Sequence, residues 1–216
     1  VLDFPASGAA LWALFDAGGP RPEYVLPVLY SESGFDPSVP NHAGYPYYGI
    51  NQASTSLITA YAGTDPTTYM TWAASEQIST VVSGMFKAIV TSYGPLRSGT
   101  RCYQANFLPA TLATAHGLGS VLATSPSAIY TANAGFDTAH KGTITVQDLA
   151  NFVARAATTA AVQQAIAATY ALRPALGRPH DPVYGEDFPR GVPIVGLAIA
   201  GGLIYAALHL KGIWRS

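Results

Sequence analysis

Residues 22–34 read PEYVLPVLYSESG, and the helix they encode sets the pattern for the chain. Pro22 stands where a first helical turn has no use for its missing N–H, and Glu23 beside it favours the positive end of a helix. Tyr24 to Glu32 follow, with Val25, Leu26, Val28 and Leu29 apolar, and Gly34 suits a left-handed cap. Outward from this segment the punctuation repeats. A second helix is expected from Thr55 to Tyr61, stopped by Gly63. Asp65-Pro66 opens the next stretch, where Ile78, Val81, Val82, Met85, Phe86 and Ile89 recur at helical spacing until Gly94-Pro95. Thr145-Val146-Gln147-Asp148 resembles a capping box, and one helix is expected behind it through Leu149, Phe152 and Val153 to Tyr170. Little of the chain alternates with period two. The fold class read from these signals is mainly α, at most α+β with minor strands. No internal repeat of roughly 20–50 residues is visible.

At 216 residues the chain has room for one folded domain plus an appendage. Apolar residues make up 49 % and charged residues only 11 %, which excludes a disordered chain and a coiled coil. A net charge of −1 offers no basic field to hold nucleic acid. The single cysteine, Cys102, excludes an internal disulfide framework and a multi-cysteine zinc site.

Composition shifts near Arg173. Residues 173–190 carry Pro174, Pro179, Pro182 and Pro189 with Gly177 and Gly185 between them, and read as a linker after a domain over residues 1–172. Residues 191–210, GVPIVGLAIAGGLIYAALHL, are uncharged and as long as a bilayer-spanning helix, with small residues that suit close packing. They are read as a candidate transmembrane helix, with a helix buried in a large assembly as the alternative. Lys211 and Arg215 mark residues 211–216 as a short basic tail, which the positive-inside rule would keep inside. The opening VLDFPASGAALWALF lacks a basic start and holds Asp3 and Pro5, a poor match to a secretory signal.

The chain has four glutamates. Glu23 suits a helix start, Glu76 the polar side of a long helix, and Glu186 the linker. Glu32 ends an apolar helix just before a glycine, where partial desolvation raises a carboxyl pKa toward what a general acid needs. From Glu32 the chain runs Ser33-Gly34-Phe35-Asp36-Pro37, and about twenty residues later Tyr48-Gly49-Ile50-Asn51-Gln52. This Glu-Ser pair with a later Gly-x-x-Gln turn resembles the soluble-lytic-transglycosylase and goose-type lysozyme family. Segments around Trp72, Glu76-Gln77, Tyr103 to Ala110 and Tyr130 to Asn133 resemble versions encoded by bacteriophages. The resemblance spans roughly residues 20–172.

It implies a lysozyme-like fold and cleavage of the β-1,4 bond between N-acetylmuramic acid and N-acetylglucosamine in peptidoglycan. Glu32 would be the catalytic acid, then base. If it activates the muramoyl 6-hydroxyl, a 1,6-anhydro sugar results; if water, the chain is a muramidase. A single acid serves the first route because its nucleophile is intramolecular. A two-carboxylate route needs a partner, and Asp36, the nearest, reads better as a turn cap. The resemblance further implies that Ser33 hydrogen-bonds the Glu32 carboxylate and that Gln52, with the backbone at Gly49 and Ile50, lines the sugar cleft. Tyr130 and Tyr103 compete as the tyrosine near Glu32, each with a plain core role as the alternative. Tyr45, Tyr47 and Tyr48 with His42 form an aromatic loop suited to stacking on sugars.

Residues 137–148 carry the frame of an EF-hand loop, with Asp137 first, Gly142 sixth, Ile144 eighth and Asp148 twelfth. Ala139 and Lys141 stand where calcium needs oxygen ligands, so the turn is expected without the metal. His116, His140 and His180 are isolated, no serine-hydrolase elbow or phosphate loop is present, and no metal or cofactor is expected.

The expected protein is therefore a phage virion component that cuts the host cell wall in the periplasm during entry. Its partners would be glycan strands, a membrane through residues 191–210, and other virion proteins in an oligomeric assembly. Two alternatives stand: a catalytically inactive structural protein of the virion or membrane, or a wall-remodelling part of a bacterial secretion or conjugation apparatus.

Overall fold

A computed structural model of the chain describes residues 1–41, 44–177 and 179–187. The chain begins with α1 (Ala6–Asp16), which buries Leu11, Trp12 and Leu14, and then enters α2 (Pro22–Ser33). Pro22 opens α2 and Gly34 closes it with φ +64, as the sequence suggests. Val25, Leu26, Val28 and Leu29 are fully buried, so α2 runs through the core rather than over it.

A small antiparallel ribbon follows, β1 (Tyr47–Tyr48) against β2 (Ala53–Ser54), with residues 49–52 as its turn. Next come α3 (Thr55–Ala62), closed by Gly63, and α4 (Pro66–Tyr69), whose first turn is capped by the Asp65 carboxylate. A long apolar-faced helix is built from α5 (Ala74–Gln77), a π-helical stretch Ile78–Val82, and α6 (Ser83–Tyr93). Ser83 Oγ donates to the Ile78 carbonyl at 2.7 Å within the wide turn.

The second half opens with α7 (Gly99–Phe107), which packs on α2. β3 (Val121–Thr124) pairs antiparallel with β4 (Thr143–Thr145), and α8 (Ala128–Ala132) lies between them in sequence. The capping box forms as read: Asp148 N donates to Thr145 Oγ1, and Thr145 N to Asp148 Oδ2, at the start of α9 (Val146–Ala157). The single helix expected to Tyr170 is corrected. It breaks at Thr158-Thr159, and the Thr159 hydroxyl caps α10 (Ala160–Ala171) by accepting from Val162 N. Among the described residues the fold is thus mainly α with two short two-stranded ribbons, α2 at its centre against α7, α9 and α10.

Residues 179–187 do not behave as a free linker. Gly99 N and Thr100 N donate to the Pro182 and Val183 carbonyls, and Ser98 Oγ donates to Asp187 at 2.9 Å. His180 N donates to Glu23, which is fully buried and also accepts from the Tyr170 hydroxyl at 2.8 Å. The proline-rich composition is that of a strap: it forgoes its own helix and hydrogen-bonds to its neighbours. The expected transmembrane helix 191–210 and tail 211–216 lie outside the described residues. Among the described residues no helix is long and apolar enough to cross a membrane.

Candidate active site

Glu32 sits in the last turn of α2, half-buried, where the helix core ends and the turn at Gly34 begins. Tyr103 and Asn106 of α7 reach its carboxyl as hydrogen-bond donors. They are three residues apart on one helix, so both side chains lie on the face that packs on α2. Desolvation of the carboxyl outweighs these two donors, and its pKa is pushed up to about 7. Protonated and ionised forms then coexist near neutral pH, as a group that gives and retakes a proton needs. Tyr103 is buried, and burial beside Glu32 pushes its phenol well above the ordinary range, so it remains a donor.

The Gly-x-x-Gln turn lies next to this helix end. Ser33 Oγ donates to the Ile50 carbonyl at 2.9 Å and to the Leu29 carbonyl at 3.1 Å. The expectation that Ser33 bonds the Glu32 carboxylate is corrected: its hydroxyl proton is shared between two carbonyls, and its bond to Ile50 joins α2 to the turn. The backbone of Gly49 and Ile50 is also placed differently from the expectation. Both residues are buried, Gly49 N donates to the Val39 carbonyl, and Ile50 N donates to Gln77 Oε1 at 2.9 Å. Their N–H groups hold the turn together and are not offered to a sugar. Gln52, at φ +50, donates through Nε2 to the Val39 and Gly49 carbonyls and is half-buried. Tyr48 is half-buried beside it, while Tyr45 and Tyr47 are exposed. His42 lies outside the described residues.

Of the two competing tyrosines, Tyr103 is the one beside Glu32. The Tyr130 hydroxyl donates instead to Asp137 at 3.0 Å, inside the 137–148 loop. That loop keeps its turn: buried Asp137 also accepts from the backbone N–H groups of Lys141 and Gly142. Lys141 Nζ lies 2.8 Å from Asp148 and 3.9 Å from Asp137, an ammonium between the two acidic ends. Among the described residues no set of three or more His, Cys, Asp or Glu is grouped to hold a metal ion. Asp36 is exposed, and Ser38 bonds through N and Oγ hold its carboxylate below the usual range, so it caps a turn.

Two residues of the site went unassigned in the sequence. Asn106 carried a usable signal, its three-residue spacing from Tyr103. Gln77 is fully buried, takes the Ile50 N–H, and donates to the Pro37 carbonyl at 2.8 Å and the Tyr69 carbonyl at 2.9 Å. A Cβ at Gly49 would come within 2.5 Å of its Oε1, so only glycine admits this contact, and the φ of +74 favours glycine as well. No signal in the sequence marks a glutamine 27 residues away as the turn's anchor.

No family model, curated protein or solved structure matches the chain.

Proposed function

We propose that the chain is a peptidoglycan lytic transglycosylase with a lysozyme-like fold and Glu32 as its single acid and base. The observation that carries this reading is the Glu32 carboxyl, partly desolvated, tuned to about 7, and steadied by Tyr103 and Asn106. In the forward step the protonated carboxyl gives its proton to the glycosidic oxygen as the bond to the muramoyl carbon breaks. Positive charge then builds on the ring, and the ionised carboxylate, still held by its two donors, faces it. The same carboxylate takes the proton of the muramoyl 6-hydroxyl as that oxygen closes the 1,6-anhydro ring, which returns Glu32 to its starting form. Asp36, the carboxylate nearest to Glu32 in sequence, is exposed and taken up by Ser38. That favours the intramolecular hydroxyl over a two-carboxylate hydrolysis.

The proposed setting, a phage virion component acting on the host envelope, rests on the phage-like segments and on the apolar run 191–210. The test uses the full chain with purified sacculi and mass spectrometry of the released muropeptides. Anhydro-muropeptides from the wild type, absent with Glu32→Gln, support the proposal. Reducing-end products would make it a muramidase. No release from either protein would favour a structural role.

A further inference from the structure

Arg155 is a cation for which the described part of the fold supplies no anion. It lies in the last turn of α9, half-buried, with its guanidinium over the Phe152 ring at 5.3 Å from the centroid. Among the described residues it has no carboxylate or carbonyl partner. The other half-buried arginines have polar partners: Arg101 donates to Gln104 and to the Ala115 and Leu112 carbonyls, Arg173 donates to the Asp16 carboxylate, and Arg21 lies beside the Tyr170 hydroxyl. A partly desolvated cation without an anion costs stability, and such groups cluster where a ligand supplies the missing charge.

Its position connects it to the candidate site. Phe152 packs on the Tyr103 ring at 5.2 Å, and the Tyr103 hydroxyl is the donor to Glu32. Phe152 thus touches both groups, the Tyr103 ring on one side and the Arg155 guanidinium on the other, and this places the guanidinium on the Tyr103 flank of the site. Phe136 stacks edge-on against Phe152 at 4.9 Å, and Phe107 against Phe136 at 5.2 Å; all three phenylalanines are half-buried. A cation therefore stands at the rim of an aromatic surface that begins at the acid's own hydrogen-bond partner.

We infer that Arg155 is a specificity-determining residue that binds a carboxylate of the muramoyl unit. This rests on the transglycosylase reading. A guanidinium fork matches a carboxylate in two parallel hydrogen bonds. N-acetylglucosamine carries no carboxylate, so the contact would tell one sugar of the strand from the other. Two sources share this chemistry: the lactyl group when free, and the stem peptide attached to it.

The test compares full-length wild type with Arg155→Gln on three substrates. These are intact sacculi, sacculi whose carboxylates have been amidated, and strands stripped of stems by an amidase, which frees the lactyl carboxylate. On intact sacculi the variant is expected to lose about 10- to 100-fold in kcat/KM, mostly through KM, the range of a charged hydrogen bond. That loss disappears on amidated sacculi if the stem carboxylate is the ligand. A loss confined to stripped strands assigns the lactyl group. Arg155→Gln should lower stability by no more than about 1 kcal/mol, the worth of the contact with Phe152 and of a cation in the last helical turn, because no internal anion is orphaned. Equal losses on all three substrates, or none on any, overturn the inference. If the wild type cleaves nothing, the transglycosylase reading falls by itself. Binding to intact sacculi, amidated sacculi and stripped strands then decides the Arg155 inference, which requires weaker binding of the variant confined to intact sacculi or to stripped strands.

Discussion

The Ser33 hydroxyl donates to the Ile50 carbonyl across 17 residues of chain, and this bond joins the helix that carries Glu32 to the Gly-x-x-Gln turn. It does not touch the acid. Ser33→Ala should therefore lower stability by about 1 kcal/mol, the usual worth of a hydrogen bond, and leave the pH at which activity declines unchanged. Urea unfolding and a pH–rate profile check both parts. A shifted alkaline limb would put the hydroxyl back on the carboxylate.

Tyr103 is expected to act oppositely. Its hydroxyl favours the ionised form of Glu32, so Tyr103→Phe should move the Glu32 pKa above about 7 and carry the alkaline limb of kcat/KM upward. The rate should fall about 10- to 100-fold, because the carboxylate formed in the first step loses a charged hydrogen bond. A lower limb would mean that the phenol does not donate to the carboxylate.

Gln77 anchors the turn from behind. Gln77→Leu would orphan the Ile50 N–H and remove the donor to two carbonyls, at roughly 1–3 kcal/mol for each buried group left unsatisfied. A fall in the urea midpoint at constant m-value is the expected result, and an unchanged midpoint would remove Gln77 from this role.

The features legible in the amino-acid sequence are those that obey local rules. Pro22 and Gly34 marked α2, Gly63 closed α3, and the Thr145–Asp148 box began α9, because caps act within one helical turn. Glu32 was singled out for the same reason, as an acid at the end of an apolar helix. The rest depended on partners far along the chain. Ser33 and Glu32 are neighbours in sequence, yet the serine turns to Ile50. Tyr130 and Tyr103 were indistinguishable until the 137–148 loop claimed the first through Asp137. Prolines at 179 and 182 signal only what a segment cannot do, and the strap is defined by its bonds to Gly99, Thr100 and Glu23.

The raised pKa of Glu32 carries a sign that stability measurements can read. The unfolded carboxyl ionises near its ordinary 4.5, while the folded one holds its proton until about 7. Below pH 4.5 both states are protonated and the site costs nothing. As pH rises from there toward 7 the unfolded state alone releases its proton, so folding stability declines and then levels off. The full loss is on the order of 3 kcal/mol at 1.36 kcal/mol per pKa unit. Glu32→Gln should therefore match the wild type at pH 4 and exceed it at pH 8, as followed by urea unfolding. A variant less stable than the wild type at pH 8 would indicate that the ionised carboxylate is well satisfied by its surroundings.

The most direct measurement is a carbon-13 NMR titration of the glutamate side-chain carboxyls, with Glu32→Gln identifying the resonance of residue 32. With four glutamates in the chain, the spectrum is small enough to assign. A Glu32 midpoint near 7 is the expected result. A midpoint near the ordinary 4.5 would mean an ionised, solvated carboxylate at neutral pH, and the single-acid mechanism would fail with it.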